Sequence, residues 1–109
     1  MIRFLALPAL VGAALLASAG AAGAGEVSVS QKDKAFAPGE VTIKAGDTVK
    51  FLNDDDVTHN VLAKSPSGES KNSGAQKPGE TASVVFDKAG DHEVRCGIHP
   101  KMKMMVKVQ

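Results

Sequence analysis

A group of potential metal ligands lies close together near the C-terminal end of the chain. Cys96, His99 and Met102 follow one another at intervals of three residues. A thiolate, an imidazole and a thioether at this spacing must share a tight loop, which directs the three side chains to one point. A second imidazole, that of His59, lies at the start of an earlier predicted strand. Adjacent strands of a β-sandwich can bring His59 beside this loop.

This combination of donors is typical of a copper site that transfers electrons. Imidazole nitrogen favours Cu(II) and soft sulfur favours Cu(I), so a mixed set with a weak thioether suits both states moderately. Neither state then requires large ligand movements, and an electron moves with little reorganisation. Zinc bound there would be adventitious, because Met is a poor zinc ligand. We therefore expect one copper ion as the cofactor.

Two other functions could use the same residues. The thioethers of Met102, Met104 and Met105 would suit a copper carrier or buffer that delivers copper to a partner, because thioethers select Cu(I). Cys96 and His99 could form the nucleophile–base pair of a thiol enzyme. That chemistry needs an orienting third group and a substrate cleft, and neither is visible in so short a chain. We predict that the protein is not an enzyme, and the copper carrier stays as the alternative.

The first 24 residues have the three-part layout of a secretory signal peptide. Arg3 precedes an apolar run over residues 4–17, and small residues follow in two Ala-x-Ala patterns. An uncleaved membrane anchor is the rival interpretation. The second half of the stretch is mostly Ala and Gly, however, and a spanning helix needs about 20 strongly apolar residues. We expect cleavage after residues 1–24, which leaves residues 25–109 as one domain in the periplasm, free of the membrane.

The composition of this domain limits its partners and its core. Residues 25–109 carry twelve Lys or Arg and twelve Asp or Glu, so nucleic-acid binding has no electrostatic support. Phe36, Phe51 and Phe86 are its only aromatic residues. A domain with so modest a core usually needs a metal, a staple or a partner. Its single Cys cannot form an internal disulfide, and such a Cys is either an exposed hazard or a reactive or ligating thiol.

Period-two alternation of apolar residues predicts strands rather than helices in this domain. Six to eight short strands separated by turns are typical of an antiparallel sandwich or barrel. Residues 41–43 and 49–51 flank a turn at residues 45–47 and predict a hairpin. Residues 63–80 lack apolar periodicity and are rich in Ser, Gly and Pro, which predicts a surface loop or an irregular edge.

Two polar features near the predicted ligands have simple explanations. Asp54, Asp55 and Asp56 lack the alternating spacing and the distant Glu of a calcium-binding loop, so we expect a solvated turn. His92 shares strand parity with Cys96 and should face inward. We expect it to be a packed or rim histidine and not a metal ligand.

The chain resembles the cupredoxins, a family of blue copper proteins. The resemblance rests on the pair His59-Asn60, on the stretch of residues 86–92, and on the Cys-x-x-His-Pro-x-Met run that begins at Cys96. It extends over nearly all of residues 25–109. The last run is a fairly specific signal when a His-Asn pair precedes it.

The resemblance implies an all-β, Greek-key β-sandwich with an electron-carrier function. By this resemblance the copper ligands are His59, Cys96, His99 and Met102. It further implies that Asn60 braces the two ligand loops and that electrons pass through the exposed edge of His99. We expect a monomer that exchanges electrons with protein redox partners.

Overall fold

The computed structural model describes residues 25–109, in which every regular element is a β-strand. The strands are β1 (Glu26–Lys32), β2 (Ala35–Ala37), β3 (Glu40–Ile43), β4 (Asp47–Asn53), β5 (His59–Lys64), β6 (Ser70–Gln76), β7 (Thr81–Phe86), β8 (Gly90–Arg95) and β9 (Lys103–Val108). Residues 1–24, the predicted signal peptide, lie outside the described residues. Within residues 25–109 there is no helix long and apolar enough to cross a membrane.

The strands form two sheets that pack face to face. The first sheet has the order β2-β1-β4-β7, and the second has the order β3-β9-β8-β5-β6. Alternate residues of both sheets point into one apolar core, in which Phe51 and Phe86 are the largest fully buried side chains. The ring of Phe36 packs edge-on against Phe51, with centroids 6.0 Å apart. This architecture confirms the predicted all-β sandwich.

Two strand pairings differ from the expected antiparallel pattern. β1 runs parallel to β4, and β3 runs parallel to β9, so both sheets are mixed. The predicted hairpin is also wrong, because β3 and β4 belong to different sheets. The turn between them carries the chain across the sandwich, and Gly46, at φ 97°, donates its N–H to the carbonyl of Phe86 at 2.8 Å. Alternation identifies the buried face of a strand but not the strand that pairs with it.

Residues 63–80 contain an additional strand. Within them β6 lies at the edge of the second sheet and pairs with β5. Only Gln76 of its seven residues is buried, and the register shifts opposite residues 60–62. The structure therefore agrees with an irregular edge and not with a loop. An edge strand obtains its backbone hydrogen bonds from its neighbour, and it needs no apolar face to do so.

Three strands of the second sheet bring the predicted ligands to one end of the sandwich. β5 begins at His59 and runs antiparallel to β8, which ends one residue before Cys96. β9 runs antiparallel to β8 and begins one residue after Met102. The start of β5, the end of β8 and the start of β9 therefore lie together.

Candidate metal centre

Three donor atoms of the predicted site form a small triangle. The Sγ of Cys96 lies 3.8 Å from Nδ1 of His59 and 3.7 Å from Nδ1 of His99, and the two nitrogens are 3.0 Å apart. A point equidistant from all three atoms is about 2 Å from each, close to the ~2.0–2.3 Å of ordinary metal–nitrogen and metal–sulfur bonds. His59 and Cys96 are buried, whereas His99 is half-buried. These donors fit one metal ion, with His99 nearest to solvent.

Asp55 fixes the orientation of the His59 ring. Its Oδ2 lies 2.8 Å from Nε2 of His59 and also accepts the backbone N–H of Lys34 at 2.9 Å. The Lys34 amide first, and then His59, hold the pKa of the Asp55 carboxyl well below its usual range. An ionised carboxylate only accepts hydrogen bonds, so Nε2 of His59 carries the proton and Nδ1 presents its lone pair to the triangle. A carboxylate in this position also raises the basicity of a metal-binding imidazole.

The expectation of a solvated turn at residues 54–56 is therefore wrong for Asp55. Its side chain is only 8% exposed. Asp54 and Asp56 are exposed, as expected, and Asp54 accepts a hydrogen bond from the hydroxyl of Ser30 at 2.6 Å. The sequence pattern that could have indicated this role is an acidic residue, Asp55, four positions before the predicted ligand His59 in one short loop.

Asn60 joins the two segments that carry the triangle. Its backbone N–H donates to Sγ of Cys96 at 3.4 Å, and its Oδ1 accepts the N–H of Gly97 at 2.6 Å. These bonds connect the start of β5 to the loop after β8, as the predicted brace requires. An N–H donor directed at the sulfur favours the thiolate, which is the form of Cys that binds metals.

Met102 closes the ligand loop through its backbone. Its N–H donates to the carbonyl of His99 at 2.9 Å, and its carbonyl accepts the N–H of Cys96 at 3.3 Å. These bonds produce the tight loop that the residue spacing predicted. The Met102 side chain is buried. Met104 is buried as well, within the core face of β9, and Met105 alternates to the other face.

A network of buried amide side chains supports the Asp55 loop. Nδ2 of Asn53 donates to the carbonyls of Val57 and Gln76, each at 2.9 Å, and its Oδ1 accepts the N–H of Asp55 at 2.9 Å. Nε2 of Gln31 donates to Oε1 of Gln76 at 3.2 Å. All three amide residues are buried. This network was not predicted from the sequence, although Asn53 shares the parity of the buried residues of β4.

The half-buried ring of His99 lies in the wall of a shallow surface depression. The depression is lined by His99, Lys34, Pro100 and Lys101. Ile98, beside it in the chain, is 50% exposed. His99 is therefore the member of the triangle that another molecule can approach.

His92 is packed away from the triangle, as predicted. It is buried, and its Nε2 lies 2.8 Å from the carbonyl oxygen of Lys88. The ring meets Phe86 edge-on, with centroids 5.2 Å apart. It takes part in the core and not in the group of metal donors.

The match to a known family decides which metal this site serves. Residues 23–109 match the sequence model of a family described as copper binding proteins, plastocyanin/azurin family. The chain belongs to this family. Copper is therefore its cofactor, and the group of His59, Cys96 and His99, with Met102 in the same loop, fits a type 1 copper site.

Individual members of the plastocyanin/azurin family are similar to this chain in sequence and in structure. Amicyanin-alpha of Methylorubrum extorquens is 37% identical over 90 residues, which cover 81% of this chain and 74% of the relative. The methylamine utilization protein MauL of Methylophilus methylotrophus is 36% identical over 70 residues, which cover 62% of this chain and 40% of the relative. Amicyanin from Paracoccus versutus superposes with a TM-score of 0.71 at 29% identity, over 77% of this chain and 81% of that chain.

These similarities establish the cupredoxin fold for this plastocyanin/azurin family member. The chain spans about half the length or less of the MauL proteins that it matches.

Proposed function

We propose that this cupredoxin carries single electrons between protein redox partners on one copper ion. The proposed ligands are His59, Cys96, His99 and Met102. The observation that carries the proposal is the buried triangle of two imidazole nitrogens and one sulfur, with a single half-exposed edge at His99. When bound there, copper supplies the one-electron change. The protein contributes donors that suit both oxidation states and an exposed ring for electron exchange.

Hydrogen bonds within the protein hold His59 and Cys96 in place. Asp55 fixes the ring of His59, and Asn60 ties Cys96 to the start of β5. Preorganised ligands move little when the oxidation state changes. A protein that carries single electrons requires small ligand movements of this kind. The preorganised donors therefore support electron transfer over catalysis.

Loading the purified protein with Cu(II) tests the proposal. We expect an intense blue colour from thiolate-to-copper charge transfer, which disappears when one equivalent of reductant is added. Cys96→Ser should bind copper without this colour, because a hydroxyl replaces the thiolate. A colourless 1:1 copper complex of the natively folded, unsubstituted protein would contradict the electron-carrier function.

The alternative of a copper carrier rests on the three clustered methionines. Met102 and Met104 are buried, and Met105 faces away from Met104 on β9, so these thioethers do not form an exposed surface for handing over Cu(I). An electron carrier should retain copper in both states. Slow transfer of Cu(I) to a strong chelator is therefore expected, and complete transfer within the mixing time would favour the copper carrier.

We place the protein in the periplasm as a monomer after removal of residues 1–24. The support is the signal-peptide layout of those residues and a family match that begins at residue 23. The mass of the protein recovered from a periplasmic extract would identify the cleavage point, and size-exclusion chromatography would give the oligomeric state. An uncleaved or membrane-bound product would contradict this placement.

A further inference from the structure

In the turn between β1 and β2, Lys34 has a backbone conformation that is unfavourable for a residue with a side chain. Asp33 and Lys34 connect the paired residues Lys32 and Ala35. Their φ angles are both positive, 53° and 56°. Positive φ at both central residues is the pattern of a type I′ hairpin turn, which prefers Asn or Asp first and Gly second. Asp33 follows this preference, whereas Lys34 occupies the position where Gly would meet no steric penalty.

The contacts of the Lys34 backbone do not require a lysine. Its N–H donates to Oδ2 of Asp55, the same oxygen that contacts His59. Gly at this position could make the same hydrogen bond with less strain. Strained backbone positions concentrate at functional sites, where the surrounding structure holds them in place. The turn itself therefore does not require lysine at position 34, and the role of Lys34 lies in its side chain.

The Lys34 side chain lies at the proposed electron-exchange face. It lines the depression at His99 together with Pro100 and Lys101. Within residues 25–109 neither of these two lysines forms an ion pair. The exposed carboxylate of Asp33 is adjacent in sequence but does not line the depression. The charged side chains that line the depression are thus both positive.

We propose that Lys34 is a specificity residue of this face and that the redox partner presents carboxylates around its own electron-exchange site. The inference rests on the proposed function, because electrons must pass at His99. Two ammonium groups beside the half-exposed ring attract and orient an acidic surface, and they repel a basic one. The Lys34 backbone N–H is bonded to Asp55 and Lys101 lies in the ligand loop, so both lysines are anchored by their backbones close to His99.

Oxidation of the reduced, copper-loaded protein by two small complexes of opposite charge tests this proposal. In each reaction Cu(I) gives one electron to the complex. Hexacyanoferrate(III), an anion, becomes hexacyanoferrate(II), and tris(phenanthroline)cobalt(III), a cation, becomes the cobalt(II) complex. At low ionic strength, Lys34→Gly should slow oxidation by the anion about threefold and accelerate oxidation by the cation, and high salt should remove both effects.

Matched variants separate local charge from other effects. Lys34→Arg keeps the charge and should keep both rates. Lys101 does not have a positive φ, so Lys101→Gln removes a charge without changing backbone strain. It should slow oxidation by the anion and accelerate oxidation by the cation, as Lys34→Gly does. Lys44→Gln removes one charge from the turn after β3, at the opposite end of the sandwich, and should leave both rates unchanged.

Thermal unfolding provides an independent measurement. Lys34→Gly should melt at or above the temperature of the unsubstituted protein, because it removes the backbone strain. A clearly lower melting temperature would overturn the proposal by giving Lys34 a structural role. Equal rates for Lys34→Gly and the unsubstituted protein, or equal slowing with both complexes, would overturn it as well. Failure to form the blue copper complex would instead contradict the proposed function, before any rate is measured.

Discussion

A single carboxylate oxygen of Asp55 contacts both His59 and the backbone of Lys34. Asp55→Asn would remove a negative charge next to His59, a proposed copper ligand, while keeping the shape of the side chain. We expect the affinity for Cu(II) to fall ~10–100-fold, as is usual when the partner of a metal-binding His is lost. The reduction potential should rise, because the lost charge stabilises Cu(II) more than Cu(I). Competition with a chelator and voltammetry would measure these two changes.

Asp56→Asn is the matched control for this substitution. Asp56 is exposed and neighbours Asp55 in the same loop. Its replacement removes an equal charge from the loop without changing the hydrogen bond to His59. Similar effects of the two substitutions would mean that Asp55 acts only through long-range charge.

Met102 and Met104 provide a second comparison between neighbouring residues. Both side chains are buried, but Met102 ends the ligand loop, whereas Met104 belongs to the core face of β9. Met102→Leu should change the reduction potential and the visible spectrum, because an axial thioether tunes both. Met104→Leu should leave both properties nearly unchanged. The opposite result would assign the axial position to Met104.

The site shows which residue roles a sequence can reveal. Cys96, His99 and Met102 could be predicted together because three soft or nitrogen donors share seven residues of chain. The roles of Asn53 and Asp55 were not predicted, although the parity of Asn53 in β4 and the position of Asp55 four residues before His59 are visible in the sequence. Each acts through hydrogen bonds whose partners come together only in the folded chain. The residue types alone do not identify those partners.

At the scale of elements, β8 begins with a glycine that cannot easily be replaced. Gly90 has φ 121°, and a Cβ at this position would lie 2.6 Å from Cγ of Pro66. We predict that Gly90→Ala lowers the free energy of unfolding by about 2 kcal/mol, through strain at positive φ and overlap with the proline ring. Urea denaturation of the apoprotein would measure this loss.

Gly39→Ala is the control for Gly90→Ala. Gly39 has no heavy atom within 4 Å of the added methyl and does not have a positive φ. Its replacement should change the free energy of unfolding by no more than about 0.5 kcal/mol. Equal losses at both glycines would show that the conformation of Gly90 is not the cause.

The elements themselves were predictable where one face of a strand is buried. Alternation in β4, β7 and β9 follows the core and was visible in the sequence. β6 was not predicted as a regular strand, because only Gln76 of its residues is buried. The pairing of β3 with β9 was not predicted either, since parallel partners distant in sequence leave no local pattern.

At the scale of the whole molecule, several carboxylates make stability depend on pH. Backbone hydrogen bonds from Lys44 and then Gly25 lower the pKa of Asp47, and the Lys88 ammonium lowers the pKa of Glu69. The Arg95 guanidinium does the same for Glu93. Each of these groups binds protons more tightly in the unfolded chain than in the folded one. Their contribution to stability is therefore present above the unfolded pKa values and is lost as pH falls.

We predict that the free energy of unfolding of the apoprotein changes little above pH ~5 and falls steadily below pH ~4. Urea denaturation at a series of pH values would measure it. Asp47→Asn should lower stability at neutral pH and flatten the loss in acid, because this variant has one fewer carboxyl group with a lowered pKa. Stability that increases from pH 5 to pH 3 would be inconsistent with these carboxyl environments.

The parallel pairing of β3 with β9 determines when the site can form during biosynthesis. β9 lies between β3 and β8 in the second sheet. A nascent chain that still lacks residues 103–108 leaves β3 without its neighbour and β8 with one open side. Without β9, β3 and β8 have no strand between them, and the second sheet cannot be completed beside His59 and Cys96. The site therefore forms only in a chain that already includes β9.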